Sequence, residues 1–320
     1  MSAPTIEQVC QKIMMDNVRL EKGEFCVLVK DLETSKLHRA LEAAIRSCGG
    51  IPFVLSLPEA AYLNGPISPR LQAAMTSGDV VLINTKELFP HGPRRSATEA
   101  GARLLSMCTV TEEMALRALN VDHAQLSQVT RRIADLLSQA SRVLVKSKAG
   151  TEIRMEITHR PVTYLDGLAW EPGRSTGLPA GVVALAPLPE TAEGVVILDG
   201  SIHSIGLCRE PVVLTVKRGR IETIEGGEEA EALLSMLDDA DENARCVAEV
   251  GLGTNPQAAY TGNLVEDERV MGSGHIGFGR NTHLGGNIES ALHTDATIRK
   301  PSIYLDDEII VREGSLTVER

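Results

Sequence analysis

The side chains best suited to chemistry lie in the last quarter of the chain. His293 and Asp295 are separated by one residue. Because residues two apart in a β-strand point to the same face, these side chains can converge on one ion. Glu249, His275 and His283 precede them in a region that is otherwise poor in charge near its glycines. Carboxylate and imidazole groups without a thiolate suit zinc, manganese, cobalt or iron(II), so the sequence predicts a site for a divalent metal.

Glycines are frequent around these side chains and would let the backbone turn tightly around an ion. They stand at positions 274, 277, 279, 285 and 286. Taken alone, a His-x-Asp pair is also compatible with a hydrogen-bonded pair at the surface. The clustering of several candidate ligands favours the metal site. The acidic run Glu266, Asp267 and Glu268 is most simply a solvated loop, although one of its members could act as a base.

Four further residues are candidates for contact with a substrate or a ligand. His91 lies in the Pro-bounded turn LFPHGP and could act as an acid or base, or be an exposed loop histidine. Arg94 and Arg95 could hold a substrate carboxylate in a bidentate pair, or be exposed at a helix start. His283 lies in the turn NTHLGG and is predicted to support a ligand or substrate by a hydrogen bond, or to assist proton transfer.

The predicted secondary-structure elements that position these residues differ between the first and second halves of the chain. Short apolar runs (FCVLVKD, PFVLSL and DVVLINT) alternate with helical patterns, which predicts a parallel sheet. Further helices are predicted near residues 98–105 and 111–140. After Ser141, strand patterns separated by Gly and Pro dominate. We therefore predict a Rossmann-like α/β domain over residues 1–140 and an α+β, antiparallel-strand-rich metal-binding catalytic domain over residues 141–320.

The turn after the first strand is not suited to a dinucleotide. It reads KDLETSK, without the glycines that let a pyrophosphate approach the backbone. We expect no nucleotide cofactor.

The composition argues against nucleic acid and membranes as binding partners. The net charge is −11, from 32 basic and 43 acidic side chains, and an acidic surface repels nucleic acid and anionic membranes. No run approaches the roughly 20 apolar residues of a membrane helix, and the first residues lack the pattern of a signal peptide. Six scattered cysteines are typical of a reduced, cytosolic protein. These features predict a soluble, cytoplasmic protein whose partners include neither nucleic acid nor a membrane.

Longer segments resemble a known superfamily of metalloenzymes. The stretch from AEVGLGTNP to ALHTDA resembles the metal-binding core of the aminopeptidase T/aminopeptidase S metallopeptidases, as do LPAGVVALAPLPETAEGVVILDGSI and TEAGARLLSM. A second branch, the iron(II)-dependent 2,5-dihydroxypyridine dioxygenases, is similar in length and layout. The segments similar to that branch are KSKAG (146–150), WEPGR (170–174), AEGVVILD (192–199) and SIYLDDE (302–308). The resemblance also implies a homodimer or larger homo-oligomer.

The two branches imply different sites. The aminopeptidase pattern implies four metal ligands, Glu249, His275, His293 and Asp295. Val182 stands where that pattern has its first glutamate ligand, and Thr282 where it has a tyrosine, so a single metal ion is expected. The dioxygenase pattern retains the His-x-Asp pair and matches His91. It has a histidine at the position of Glu249, and another histidine where Gly177 and Leu178 stand.

These observations lead to one main expectation and two alternatives. The main expectation is a metal-dependent hydrolase of an amide or peptide-like bond in a small-molecule substrate, in which the ion lowers the pKa of its bound water toward ~7. His283 or His91 would assist proton transfer. The first alternative is an iron(II) ring-cleaving dioxygenase of a dihydroxypyridine-like compound. The second is a relative that binds metal or ligand without catalysis.

Overall fold

The computed structural model describes residues 4–63 and 67–318. The chain forms two compact units. The first consists of Met1–Ser127 with Leu165–Ala180, and the second of Gln128–Tyr164 with Gly181–Arg320. The sequence-based division into residues 1–140 and 141–320 stays a prediction.

The helices and strands of the described residues are as follows. The α-helices are α1 Ile6–Lys12, α2 Lys36–Ser47, α3 Ala60–Leu63, α4 Pro69–Thr76, α5 His91–Glu99, α6 Glu112–Ala118, α7 His123–Gln139, α8 Glu228–Asp238 and α9 Leu264–Asp267. A π-helix spans Ile13–Asn17, and 3-10 helices span Glu242–Arg245 and Thr282–Leu284. The strands are β1 Phe25–Asp31, β2 Ile51–Leu57, β3 Val80–Asn84, β4 Arg103–Ser106, β5 Arg142–Lys146, β6 Glu152–Glu156, β7 Val162–Leu165, β8 Ser175–Gly177, β9 Val182–Leu185, β10 Glu193–Leu198, β11 Ser201–Ile202, β12 Gly206–Leu207, β13 Val212–Lys217, β14 Arg220–Glu225, β15 Val247–Gly253, β16 Gly274–Gly279, β17 His293–Ile298, β18 Ser302–Leu305, β19 Glu308–Arg312 and β20 Ser315–Leu316.

The first unit is built on a parallel sheet of five strands in the order β2-β1-β3-β4-β8. β3 is buried along its whole length and β1 in six of its seven residues. Continuous apolar runs are typical of parallel strands covered on both faces. The predicted Rossmann-like α/β fold is confirmed.

The helix predicted near residues 98–105 is wrong. Helix α5 ends at Glu99, and Gly101 adopts a φ of +99° that a helix cannot continue. The chain then enters β4, which pairs in parallel with β3. Leu104 and Leu105 are completely buried there, so tertiary burial outweighs the local helical pattern.

The second unit contains two antiparallel sheets, which confirms the predicted strand-rich fold. One has eight strands in the order β14-β13-β10-β6-β5-β18-β19-β20, and the other has seven in the order β12-β11-β17-β16-β15-β9-β7. One hydrophobic core includes residues from both sheets and from α7 and α8. Among the described residues, every helix is too short or too polar to span a lipid bilayer.

Side chains alternate between two faces of the seven-stranded sheet. Ile276 and Phe278 of β16, like Ala296 and Ile298 of β17, belong to the hydrophobic core. The residues between them point to the opposite face, because successive side chains of a strand alternate. That opposite face carries the polar residues singled out in the sequence, and the apolar face fixes the register that aligns them.

Helix α8 offers a matched test of this core. Leu233 is fully buried, whereas its neighbour Leu234 is 38% exposed. We expect Leu233→Ala to lower the free energy of unfolding by about 2–5 kcal/mol through lost contacts and a residual cavity. Leu234→Ala should change it by less than about 0.5 kcal/mol. Urea unfolding followed by circular dichroism measures both, and equal losses for the two variants would contradict the assigned packing.

Candidate metal centre

Three neighbouring strands bring two carboxylates to the same level of the seven-stranded sheet. Glu249 of β15 is paired with Gly277 of β16, and Gly277 is paired with Asp295 of β17. The register of β15 shifts between Val247 and Glu249, which is a bulge of the kind found beside active sites. Both carboxylates are largely buried, at 7% and 8% exposure.

The missing side chain of Gly277 makes the space in which the carboxylates approach each other. A Cβ atom at this position would lie 2.3 Å from Asp295 Oδ1 and 2.7 Å from Glu249 Cβ. Either distance is far below a normal contact, so any other residue would push the acids apart. Glycine is needed here for close approach, whereas the sequence suggested glycines chiefly for tight turns.

A second glycine, Gly251, leaves room for the imidazole of His275 beside Glu249. The imidazole lies over Gly251, where a Cβ atom would be 2.3 Å from both Cε1 and Nε2. His275 Nε2 is 3.3 Å from Glu249 Oε1, within hydrogen-bond distance. The ring is fully buried, so this contact orients the carboxylate of Glu249.

Two further imidazoles complete the cluster. His293 Nε2 is 3.1 Å from Asp295 Oδ2 and 3.4 Å from Glu249 Oε2. Its other nitrogen, Nδ1, donates a hydrogen bond to the carbonyl of Arg280 at 2.7 Å, which leaves Nε2 as the nitrogen for an ion. His283 packs edge-on against His293 with ring centroids 4.5 Å apart, and its Nε2 is 4.0 Å from Glu249 Oε2.

The ionisable groups of the cluster change one another's pKa values. Burial alone would raise the pKa of Glu249, but hydrogen bonds from His275 and His293 lower it far below its ordinary value. Burial alone would lower the pKa of His293, but Asp295 and Glu249 raise it to about 11. Burial would also lower the pKa of His275, but its hydrogen bond to Glu249 and the charges of Glu268, Glu249 and Asp295 raise it. In contrast, burial and the neighbouring His293 lower the pKa of His283.

The donor set fits a divalent cation. One ligand atom each from Glu249, His283 and His293 lies within 4.8 Å of the other two. Oδ1 of Asp295 is buried and has no hydrogen-bond partner among the described residues. Two buried carboxylates beside imidazoles that can give up their protons to an ion offer the nitrogen and oxygen ligands and the negative charge that iron(II), manganese or zinc require. Which of these residues bind the ion stays a prediction.

The acidic run at 266–268 is not a solvated loop, so that prediction is wrong. Glu266 and Asp267 are fully buried. Glu266 accepts the backbone N–H of Ala259, and Asp267 accepts that of Thr261. Glu268 is paired with the adjacent Arg269, and its charge contributes to the raised pKa of His275. Three consecutive acidic residues in a sequence do not indicate that backbone N–H groups will bind their carboxylates. Those N–H groups come close only when the chain folds.

The remaining predicted residues belong to the first unit. His91 begins helix α5 and is exposed. Arg95 is also exposed and forms an ion pair with Glu99 at 3.2 Å. Arg94 has a buried Nε, and burial lowers the pKa of its guanidinium. The predicted roles of all three in substrate binding or catalysis stay predictions.

We expect Gly277→Ala to weaken metal binding by roughly 10–100-fold or more, because the new methyl group separates the two carboxylates. Gly274→Ala on the same strand is the control, since its Cβ would meet nothing closer than 3.3 Å. Titration with manganese(II) or iron(II) under nitrogen measures both affinities. Equal affinities for the two variants would show that the carboxylates do not bind the ion together.

Metal binding should also release protons. With a pKa of about 11, His293 holds a proton at neutral pH when no ion is bound, and the ion must displace it. The apparent affinity should therefore rise with pH between 6 and 8, by about tenfold per pH unit for each proton released. Calorimetric titrations in two buffers of different ionisation enthalpy count these protons. Release of fewer than about half a proton per ion would exclude His293 as a ligand.

Comparison with known proteins identifies the family. Residues 6–318 match the family described as NicX, 2,5-dihydroxypyridine 5,6-dioxygenase. A 2,5-dihydroxypyridine 5,6-dioxygenase of Pseudomonas putida KT2440 is 29% identical over 258 residues, which are 77% of this chain and 73% of the relative. A solved 2,5-dihydroxypyridine dioxygenase structure from Pseudomonas putida KT2440 has a TM-score of 0.85 at 24% identity, covering 100% of this chain and 99% of that one.

A second solved structure shares the fold at lower similarity. Wild-type AmpT from Thermus thermophilus has a TM-score of 0.71 at 18% identity, covering 98% of this chain and 99% of that one. This similarity shows a shared fold only. The expectation of a metal-dependent hydrolase is wrong, because the family match over nearly the whole chain is to dioxygenases. The chain is an enzyme that belongs to the NicX family of 2,5-dihydroxypyridine 5,6-dioxygenases.

Proposed function

We propose that this enzyme is an iron(II)-dependent dioxygenase that opens the ring of a 2,5-dihydroxypyridine-like compound. The family match over residues 6–318 carries this proposal. The candidate metal centre supports it independently, because buried imidazole and carboxylate groups of this kind can hold iron(II) and leave positions open for other ligands.

Glu249, His293 and Asp295 are the proposed ligands. They come from two strands held in fixed register on either side of β16, so their positions are set before an ion arrives. His275 orients Glu249 through its hydrogen bond, although it stays a candidate ligand as well. A bound iron(II) ion would supply the redox-active centre that allows an aromatic ring to react with dioxygen.

His283 is the proposed proton acceptor. Its side chain is 29% exposed, more than that of any other imidazole in the cluster. Its lowered pKa keeps the ring neutral at pH 7, so Nε2 can take a proton from a substrate hydroxyl group. His275 and His293 have raised pKa values and are less suited to this task.

The proposed reaction balances without another reductant. The ring bond between C5, which bears a hydroxyl group, and C6 breaks, and each of the two carbons receives one atom of the same dioxygen molecule. The hydroxyl group on C5 gives its proton to His283 as that carbon becomes a carboxylate, and C6 becomes a formyl group on nitrogen. The proton of the 2-hydroxyl group moves to that nitrogen as C2 becomes an amide carbonyl. All electrons needed to reduce dioxygen come from the ring.

A cytoplasmic location and a homo-oligomeric assembly also stay predictions for this enzyme.

Oxygen uptake tests this function directly. Protein loaded anaerobically with iron(II) should consume one dioxygen per 2,5-dihydroxypyridine and place both atoms of labelled oxygen in the product. His293→Ala should abolish uptake through loss of the ion. His283→Gln should retain the ion but lower kcat by about 10²–10⁴-fold through loss of the proton acceptor.

The matched control is His159→Asn. His159 is exposed and lies in a turn with a φ of +59°, which asparagine tolerates. This variant should retain full oxygen uptake. Absence of ring opening by iron-loaded wild-type protein, or full activity of His293→Ala, would refute the proposal.

A further inference from the structure

Strand β2 leaves one edge of the parallel sheet open in the part of the chain that the structure describes. It stands at the end of the order β2-β1-β3-β4-β8 and pairs only with β1. Its sequence, IPFVLSL, has no charged side chain, and its register with β1 runs without a bulge. Proteins commonly protect an open edge with charges, bulges or a covering segment, because such an edge can pair with another chain. This edge lacks the first two of these protections.

The backbone of every second residue of β2 points away from the sheet. The N–H of Ile51 donates to the carbonyl of Glu24, so the backbone groups of the odd-numbered residues face β1. Those of Pro52, Val54 and Ser56 therefore face outward, because backbone groups of successive strand residues alternate in direction. These outward groups meet no other strand among the described residues.

The same strand exposes apolar side chains. Ile51 is 53% exposed and Phe53 is 40% exposed. Phe53 stacks on Phe25 of β1 with ring centroids 5.5 Å apart, so its ring is held in place while part of it meets solvent. Leu55 and Leu57 lie on the same face and are only partly buried. An occupant of this edge must supply apolar side chains as well as backbone donors and acceptors.

A second copy of β2 running in the opposite direction supplies the backbone groups. With a two-fold axis at Val54, this residue lies opposite Val54 of the second copy, and Pro52 lies opposite Ser56. The two Val54 residues then exchange two hydrogen bonds, and each Ser56 N–H donates to a Pro52 carbonyl. Pro52 has no N–H, so the reciprocal bonds to Ser56 are not formed. Four backbone hydrogen bonds remain.

The side chains and end charges fit the same register. Ile51 falls opposite Leu57 of the second copy, and Phe53 opposite Leu55, so the exposed apolar residues cover one another. Each of these pairs is of the non-hydrogen-bonded type, in which side chains are closest. The exposed apolar surface of one copy therefore meets apolar surface of the other.

The charges flanking β2 are also complementary in this register. A Cβ atom on Gly49 would lie 3.2 Å from Cγ of Lys22, so the Lys22 side chain lies beside Gly49. In the pairing centred on Val54, Gly49 falls at the level of Glu59 of the second copy. Lys22 and Glu59 are both exposed and have no ion pair among the described residues. The two-fold axis brings this pair of opposite charges together twice.

We propose that β2 is a dimerisation edge that pairs, in antiparallel register centred on Val54, with β2 of a second copy of this chain. Two five-stranded sheets then become one sheet of ten strands. The contact is the same patch on both copies, as a two-fold interface requires. It gives the predicted homo-oligomer a specific surface and does not depend on the metal centre or on the proposed reaction.

The expected dimer is of moderate strength. A strand of seven residues spans roughly 23 Å, so the contact is smaller than a standard protein–protein interface. We expect a Kd of about 1–100 µM for the iron-loaded protein.

Cysteine cross-linking tests the register. Cα atoms of a hydrogen-bonded antiparallel pair lie about 5.5 Å apart, a distance that a disulfide spans. Iron-loaded Val54→Cys, oxidised with diamide under nitrogen, should become mostly disulfide-linked dimer on a non-reducing gel. Ser56→Cys is the matched control on the same face, because the two Ser56 residues lie four positions out of register, roughly 13 Å apart. Wild-type protein gives the background from the six native cysteines.

Sedimentation velocity over a range of concentrations tests the contact itself. Ile51→Lys should weaken dimerisation by about tenfold or more, because a lysine on an open edge disfavours pairing. Leu234→Lys makes the same kind of change at a residue of α8 that is 38% exposed and should leave dimerisation unchanged. Lys22→Glu should weaken it by about threefold, and adding Glu59→Lys should restore it.

The proposal is overturned if Val54→Cys cross-links no more than wild type, or if Ser56→Cys cross-links equally well. Equal association of Ile51→Lys and Leu234→Lys also overturns it. Wild-type protein that stays monomeric at about 100 µM does so too, and would leave the edge for an extended segment of another protein.

Discussion

Two buried carboxylates facing each other across one glycine are the constraint on which the site depends. Glu249 and Asp295 come from the strands on either side of β16, and only the absent side chain of Gly277 lets them share one space. Two buried acids repel each other and lose hydration, so they require positive charge nearby. Protons on His275 and His293 provide that charge without an ion. A divalent cation provides it with the additional gain of direct coordination.

One fold of this kind is found in proteins with different reactions. The chain shares its fold with a dihydroxypyridine dioxygenase and with an aminopeptidase, so the fold alone does not specify the reaction. The dioxygenase branch resembled in the sequence has a histidine where this chain has Glu249. The proposed centre is therefore richer in carboxylate than that pattern implies, and its two acids balance the charge of an iron(II) ion.

Much of the fold and part of the site follow from local patterns. The His-x-Asp spacing predicts that His293 and Asp295 share a face, and strand β17 places them so. Alternating and continuous apolar runs predict the antiparallel and parallel sheets. The local pattern wrongly predicts a helix near Gly101, because burial of β4 in the parallel sheet outweighs the helix propensity of this segment.

Other features depend on contacts that are distant in sequence. The pairing of Gly277 with two acids requires the register of three strands, which no local motif encodes. The burial of Glu266 and Asp267 depends on backbone N–H groups of the preceding loop. The choice between hydrolase and dioxygenase could not be made from ligand types, because both reactions use imidazole and carboxylate.

The most direct test of this account is the position of iron in a crystal of the protein loaded with iron(II) under nitrogen. Anomalous diffraction at the iron edge should show one peak per chain, above Gly277 and within coordination distance of Glu249, His293 and Asp295. No iron peak at that position, or a peak bound only by residues elsewhere in the chain, would contradict it.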